Sequence, residues 1–72
     1  MRWTSDRLDQ LERAARTGRR VSLMRRGTEY VVVARKVGPA GGRDALTAFL
    51  PMTGEELVFP LDDIDSFHVL ES

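Results

Sequence analysis

The chain has 72 residues, with 11 basic and 11 acidic side chains and a hydrophobic fraction of 42%, which is the composition of one folded domain. It contains no cysteine and one histidine, so disulfides, thiolate metal sites and histidine-rich metal sites are excluded. No apolar run approaches the roughly 20 residues that cross a bilayer, and no apolar signal segment opens the sequence, so we expect a cytoplasmic protein with no membrane partner.

The charges are distributed unevenly along the chain. Residues 1–36 hold ten basic and four acidic side chains, a net charge of +6, whereas residues 37–72 hold one basic and seven acidic side chains, a net charge of −6. Such asymmetry indicates a charged partner, although pairing between the two halves within the folded domain would also account for it. Attraction between opposed halves of two copies also favours a homodimer over a monomer.

Residues 5–17 are predicted to form a helix, with Thr4 or Ser5 as the N-cap. Gly18 follows the last periodic residue and suits a left-handed C-cap. The apolar residues recur at helical spacing and form one narrow face: Leu8, Leu11, Ala14 and Ala15. A helix this short is marginal in water, so we expect it to pack against the rest of the domain.

After the helix the apolar period changes from 3.6 to 2 residues, which predicts strands. The five predicted strands are about five residues from Val21, then residues 28–37, 45–50, 56–59 and 66–70. Gly27 and Gly54 are placed in tight turns that need a positive φ. Glycine and proline content predicts a flexible loop at residues 38–42, and residues 61–64 suit one turn of 3₁₀-helix.

Five short strands, hairpin turns and a 3₁₀ turn before the last strand predict a small five-stranded SH3-like (Sm-like) barrel behind one N-terminal helix. The fold class is therefore mainly β, in a single domain over residues 1–72 with the barrel at residues 19–71. The predicted core comprises Leu8, Leu11, Ala15, Val21, Leu23, Tyr30, Val32, Ala34, Leu46, Ala48, Leu57, Phe59, Leu61, Ile64, Phe67 and Val69.

Two segments, residues 11–23 and 53–67, carry a family resemblance. The second contains the pattern Phe-x-Leu-Asp-x-Ile-x-Ser from Phe59 to Ser66. The chain resembles minimal WYL-type domains, and it is similar to the Rof family of small inhibitors of the transcription terminator Rho. The resemblance implies a helix-plus-barrel plan and a role in bacterial gene regulation, through a ligand or nucleic acid in the first family and a protein in the second. The Trp-Tyr-Leu triplet of the first family is replaced here by Thr47-Ala48-Phe49-Leu50.

No set of side chains matches a known catalytic arrangement. Cysteine is absent, and His68 in the last strand has no recognisable nucleophile beside it, so we predict a binding module without a cofactor, not an enzyme. Asp62, Asp63 and Asp65 surround one turn, but their spacing is not that of a calcium loop, so we interpret them as a solvated turn. Residues 38–42 lack the Gly-Lys-Ser/Thr ending of a phosphate loop.

Five arginines cluster around the helix end, the first strand and its turn, and we name them the arginine rim: Arg16, Arg19, Arg20, Arg25 and Arg26. Guanidinium groups bind phosphate bidentately and stack on bases, so the rim is the predicted binding site, an extended strip roughly 15–20 Å long. Trp3 is the candidate platform for a stacked base, with packing over the helix start as its alternative. The predicted partner is single-stranded nucleic acid or a nucleotide. The alternatives are a larger protein that the module regulates and a homo-oligomeric accessory role.

Overall fold

The structure, a computed structural model, describes residues 2–70. Helix α1 spans Ser5–Thr17 and is followed by five strands: β1 Arg20–Arg25, β2 Thr28–Ala40, β3 Arg43–Phe49, β4 Glu56–Pro60 and β5 Ile64–Val69. A 3₁₀ turn, Leu61–Asp63, joins β4 to β5. The predicted fold class, mainly β with one N-terminal helix and five strands, is confirmed. Residue 71, the predicted end of the barrel, and residues 1 and 72, the ends of the predicted domain, lie outside the described residues.

Local signals fix both ends of α1. The Thr4 hydroxyl accepts a hydrogen bond from the Arg7 amide at 3.2 Å, so Thr4 is the N-cap. Gly18 is the C-cap, with φ of 67°, and its amide donates to the carbonyls of Ala14 and Ala15. The predicted helix bounds are therefore confirmed, and Thr4 is the one of the two candidate caps that is used.

The five strands form one antiparallel sheet in the order β4-β3-β2-β1-β5. The chain runs as a meander from β1 to β4, and the 3₁₀ turn then returns β5 to the free side of β1. This order is the one expected of a small SH3-like barrel. Within residues 2–70 no ladder joins β4 to β5, so these two strands are the edges of the sheet.

The prediction of a loop at residues 38–42 is wrong in extent. Gly38, Pro39 and Ala40 continue β2 and pair with the start of β3, and only Gly41 and Gly42 form the turn. Both turn glycines have positive φ, 62° and 82°, as a two-residue hairpin turn requires. Pro39 is tolerated because β1 pairs with β2 only up to Val33, so one side of β2 is free of ladder hydrogen bonds at Pro39.

The 13-residue strand β2 bends near its middle. Its register against β3 shifts between Ala34 and Lys36, which leaves Arg35 as an extra residue. Such a bulge increases local twist and bends the strand. The first half of β2 can therefore pair with β1 and the second half with β3 around one core.

The core lies between α1 and the concave face of the sheet, and in the described part of the chain it contains no polar or charged side chain. Most of the predicted core is buried, including Leu11, Val32 and Phe59. Ala45 is also buried, although the sequence patterns did not place it in the core, and so is Ala14, which lies on the predicted apolar face of the helix. Four predicted core residues are only partly buried and pack against its margin: Leu8, Tyr30, Leu57 and Val69.

Candidate anion-binding site

The arginine rim is divided by the fold, and its turn end is paired with carboxylates. The Asp63 carboxylate forms ion pairs with both arginines of the turn, with Arg25 Nη2 at 3.6 Å and Arg26 Nη2 at 3.4 Å. The Gly27 amide donates to Asp65 at 3.4 Å in the same region. The 3₁₀ turn therefore brings acidic groups of the second half against basic groups of the first, and their charge is offset there.

The acidic turn is engaged with basic groups on its other side as well. Arg43 Nη2 lies 3.4 Å from Asp62 Oδ2. Across residues 2–70, no group of three or more His, Asp or Glu side chains is placed to hold a metal ion. The three aspartates thus serve ion pairs and a backbone hydrogen bond.

A cavity of about 500 Å³ lies between α1 and β5, and we name it the α1–β5 groove. Its lining consists of Arg7, Gln10, Arg13, Ala14, Arg19, His68 and Val69. Within residues 2–70 no aspartate or glutamate lines this groove, whereas three arginines do.

Helical spacing places the groove residues together. Arg7, Gln10 and Ala14 recur at intervals of three and four, so they share one side of α1, and Arg13 lies next to them. His68 lies on β5 directly after the buried Phe67, and strand alternation turns it outward, where it is exposed.

Arg7 is held in a fixed position at the groove. Its Nη1 donates to Gln10 Oε1 at 2.8 Å, and its Nη2 donates to the Phe67 carbonyl at 2.8 Å. The guanidinium carbon also lies 4.2 Å from the centre of the Phe67 ring, within the range of a cation–π contact. The hydrogen bond to the Phe67 carbonyl occupies an acceptor on the β5 edge.

A second cavity, of about 340 Å³, continues from the groove and shares Arg19 with it. Arg20 lines it, together with Thr17, Gly18, Val33 and Leu70. Among residues 2–70, no acidic side chain lines this cavity either. We name the four arginines of the two cavities the basic tract: Arg7, Arg13, Arg19 and Arg20.

The tract arginines are free of acid partners within residues 2–70. The ion pairs of that part of the chain involve only Arg25, Arg26 and Arg43, all at the acidic turn. Within residues 2–70, the positive charge of the first half of the chain therefore remains unpaired at the basic tract, and at the acidic turn it is offset by carboxylates.

Arg16 lies beside the tract but in a different cavity. It lines a space of about 240 Å³ with Arg35 and Lys36, and Glu12 shares that space. The fold thus places Arg19 and Arg20 of the predicted rim in the tract, Arg16 next to it, and Arg25 and Arg26 at the opposite end of β1.

Trp3 is packed against the domain. Its indole Nε1 donates to the Leu61 carbonyl at 3.0 Å, and its ring stacks on Phe67 with centroids 5.5 Å apart. The ring is partly buried against the core, so Trp3 occupies a packed position, which was the alternative to an exposed platform for a stacked base. Trp3 lines neither cavity of the basic tract.

Sequence reasoning missed Arg7 and Arg13 as groove residues. The signal that was present is their spacing from Gln10, since Arg7 and Arg13 each lie three residues from it in a helix whose bounds are predictable. The signal that was absent is the pairing of β5 with β1, which brings His68 to the helix. Without that pairing, the rim could be described only along β1.

The convex face of the sheet is the other notable surface. Val31 and Val58 lie on it with 43% and 47% of their surface exposed. Met52, in the turn after β3, is 93% exposed. The strand register aligns Val58 with Lys36, five residues along β2 from Val31, so these are separate exposed apolar side chains that do not form one patch.

Comparison of the chain with protein-family models, with curated proteins and with solved structures finds no match. Within residues 2–70, no helix has the length and apolar character needed to cross a membrane.

Proposed function

We propose that this protein is a non-catalytic module that binds single-stranded nucleic acid along the basic tract. The observation that carries the proposal is that Arg7, Arg13, Arg19 and Arg20 line two cavities that share Arg19, with no acidic lining residue in the described part of the chain. Arginine presents a planar fork of donors that suits phosphate oxygens, so a row of arginines suits a polyanion.

The dimensions of the tract fit several nucleotides. The helix rises about 1.5 Å per residue, so Arg7 and Thr17 are about 15 Å apart along its axis. Arg20 extends the row beyond the helix end. Within residues 2–70 neither cavity is lined by a Phe, Tyr or Trp side chain, so we expect the ligand to be held mainly through its phosphates.

The resemblance to WYL-type and Rof families supports a regulatory setting for this binding. Both families act in bacterial gene expression, and the pattern from Phe59 to Ser66 that carries the resemblance forms β4, the 3₁₀ turn and the start of β5. In this proposal, the segment holds β5 beside β1, and the arginines of α1 and β1 bind the nucleic acid.

The test is a salt titration of binding to a single-stranded oligonucleotide. Each phosphate contact that releases a counterion contributes roughly 0.7 to the slope of log K against log salt concentration. Arg19→Ala and Arg20→Ala should each flatten the slope by about that amount, and the double variant by about twice as much. Arg43→Ala is the matched control, because it removes the same charge from a residue paired with Asp62.

Absence of binding at low salt, or a double variant that binds as tightly as the parent protein, would contradict the proposal. The protein-partner hypothesis would then lead. The observation in its favour is the exposure of Val31 and Val58 on the convex face. Binding through that face should be nearly insensitive to salt and should be lost in Val58→Glu.

A further inference from the structure

We infer that the α1–β5 groove is a seat for the terminal phosphate group of a nucleotide. The inference deepens the proposed function and rests on it, since it assigns one subsite of the basic tract to a particular ligand chemistry. The same group occurs at the end of a nucleic-acid strand and on a free nucleotide.

The charge of the groove exceeds what an internal phosphate needs. Arg7, Arg13 and Arg19 line one cavity of about 500 Å³, and within residues 2–70 no acidic side chain lines it. An internal phosphodiester carries one negative charge, whereas a phosphate monoester carries about 1.5 to 2 negative charges at pH 7 and three strong acceptor oxygens. Three guanidinium groups around one space therefore match a terminal phosphate better than an internal one.

The groove combines one fixed arginine with two free ones. Arg7 is oriented by Gln10 and the Phe67 carbonyl, which use two of its five N–H donors and leave the others available. Arg13 and Arg19 are exposed and make no ion pair within residues 2–70, so they can close on a ligand. A donor that is oriented before binding loses less conformational entropy when the ligand arrives.

The remaining lining fits a nucleotide without selecting its base. His68 and Gln10 offer hydrogen-bonding groups, and Ala14 and Val69 offer a small apolar wall. The volume lies within the roughly 300–1,000 Å³ of small-molecule sites. Since no Phe, Tyr or Trp side chain among residues 2–70 lines the groove, the phosphate is the group that we expect to be recognised.

The experiment compares two forms of one thymidine decamer, with a 5′-phosphate and with a 5′-hydroxyl, by fluorescence anisotropy at low salt. We expect the phosphorylated form to bind about tenfold more tightly, which corresponds to one additional hydrogen bond between charged groups. Arg13→Gln and Arg19→Gln should each reduce this preference to less than about twofold.

Arg16→Gln is the matched control. It removes the same charge from the same helix, three residues beyond Arg13, but from the cavity that contains Glu12. It should weaken both decamers by the same factor and keep the preference for the phosphorylated form. Arg7 is not used for the test, because its contact with Phe67 makes its loss a risk to the fold.

Competition distinguishes the two sources of the terminal phosphate. Adenosine monophosphate that displaces the phosphorylated decamer at submillimolar concentration would assign the groove to free nucleotides. A preference that persists without such displacement would assign it to strand ends. Either result supports the inference.

Equal binding of the two decamers would overturn the inference and leave the proposed function standing. If neither decamer binds, the proposed function fails, and the groove is then titrated with adenosine monophosphate and followed by amide NMR shifts. Absence of shifts at Arg13, Arg19 and His68 in that titration would overturn the inference as well.

Discussion

Arg26 adopts a backbone conformation that glycine or asparagine usually occupies. Its φ is 49° and that of Gly27 is 82°, so both central residues of the turn between β1 and β2 are left-handed. A two-residue hairpin turn of this type needs positive φ at both positions because its twist then matches that of the strands. The ion pair with Asp63 offsets part of the cost of placing arginine there.

We predict that Arg26→Asn is more stable than Arg26→Ala by about 1 kcal/mol in free energy of unfolding. Asparagine tolerates a positive φ, whereas alanine does not, and both variants lose the same ion pair. Urea denaturation followed by circular dichroism would measure the difference. An alanine variant as stable as the asparagine variant would show that the turn does not impose the positive φ.

The same turn shows what residue types can and cannot predict. Gly27 was expected to have a positive φ because glycine is the residue that most readily takes it. Arg26 was not, because nothing in an arginine side chain favours that region. Its conformation follows from the register of two strands, in which Arg25 pairs with Thr28 and leaves two residues for the turn.

At the scale of elements, Phe67 joins three parts of the fold. It is 5% exposed on β5, it stacks on Trp3 before α1, and Arg7 of α1 lies over its ring. The segment that precedes the helix, the helix and the last strand therefore meet on one side chain.

We predict that Phe67→Ala lowers the free energy of unfolding by roughly 3–5 kcal/mol, as truncation of core aromatic residues does. A domain of this size has about 5 kcal/mol or less in total, so the variant should be largely unfolded at 25 °C. Phe67→Leu, which retains most of the apolar volume, should remain folded. Thermal melts would separate the two variants, and an alanine variant with the melting temperature of the parent would refute the role of Phe67.

The elements that depend on local signals were predictable, and those that depend on distant pairing were not. The bounds of α1 follow from Thr4, Gly18 and the apolar period, all within the helix or next to it. The extension of β2 through Pro39 depends on β3, which supplies its hydrogen-bond partners. As long as the partner strand is unknown, the glycine and proline residues of this segment predict a break in regular structure.

The candidate site was also predictable only where it depends on residues that are close in sequence. The sequence showed that arginines surround the start of β1, and the structure places Arg19 and Arg20 in the basic tract. Arg7 and Arg13 join them only because β5 returns beside β1 and places Val69 and His68 next to α1. That return is a property of the sheet order, which no local pattern contains.

The sheet order also defines where a second copy could pair. The long strand β2 lies inside the sheet, between β1 and β3, and the edges are β4 and β5. Arg7 covers part of the β5 edge through the Phe67 carbonyl, which leaves β4 as the more open edge within the described residues. The homodimer expected from the sequence stays a prediction.

Across the whole molecule, the opposed charges of the two halves of the chain form ion pairs at the acidic turn but not, within residues 2–70, at the basic tract. At the acidic turn, Asp63 is only 14% exposed and accepts Arg25 and Arg26, and within residues 2–70 no group accepts from the buried Nε of Arg25. At the basic tract, the arginines make no ion pair within residues 2–70. The pairing at one end thus concentrates the uncompensated positive charge at the other.

We predict that Asp63→Asn lowers the free energy of unfolding by about 1 kcal/mol, because Arg25 loses its carboxylate while it remains partly buried. The same change frees Arg25 and Arg26, so binding of a single-stranded oligonucleotide should tighten severalfold at low salt. Asp44→Asn makes the same change in net charge at an exposed residue and is the matched control. The preference for a 5′-phosphate should not change in Asp63→Asn, because Asp63 does not line the α1–β5 groove. An Asp63→Asn variant that unfolds and binds as Asp44→Asn does would show that the acidic turn neither stabilises the fold nor restrains the arginines beside it.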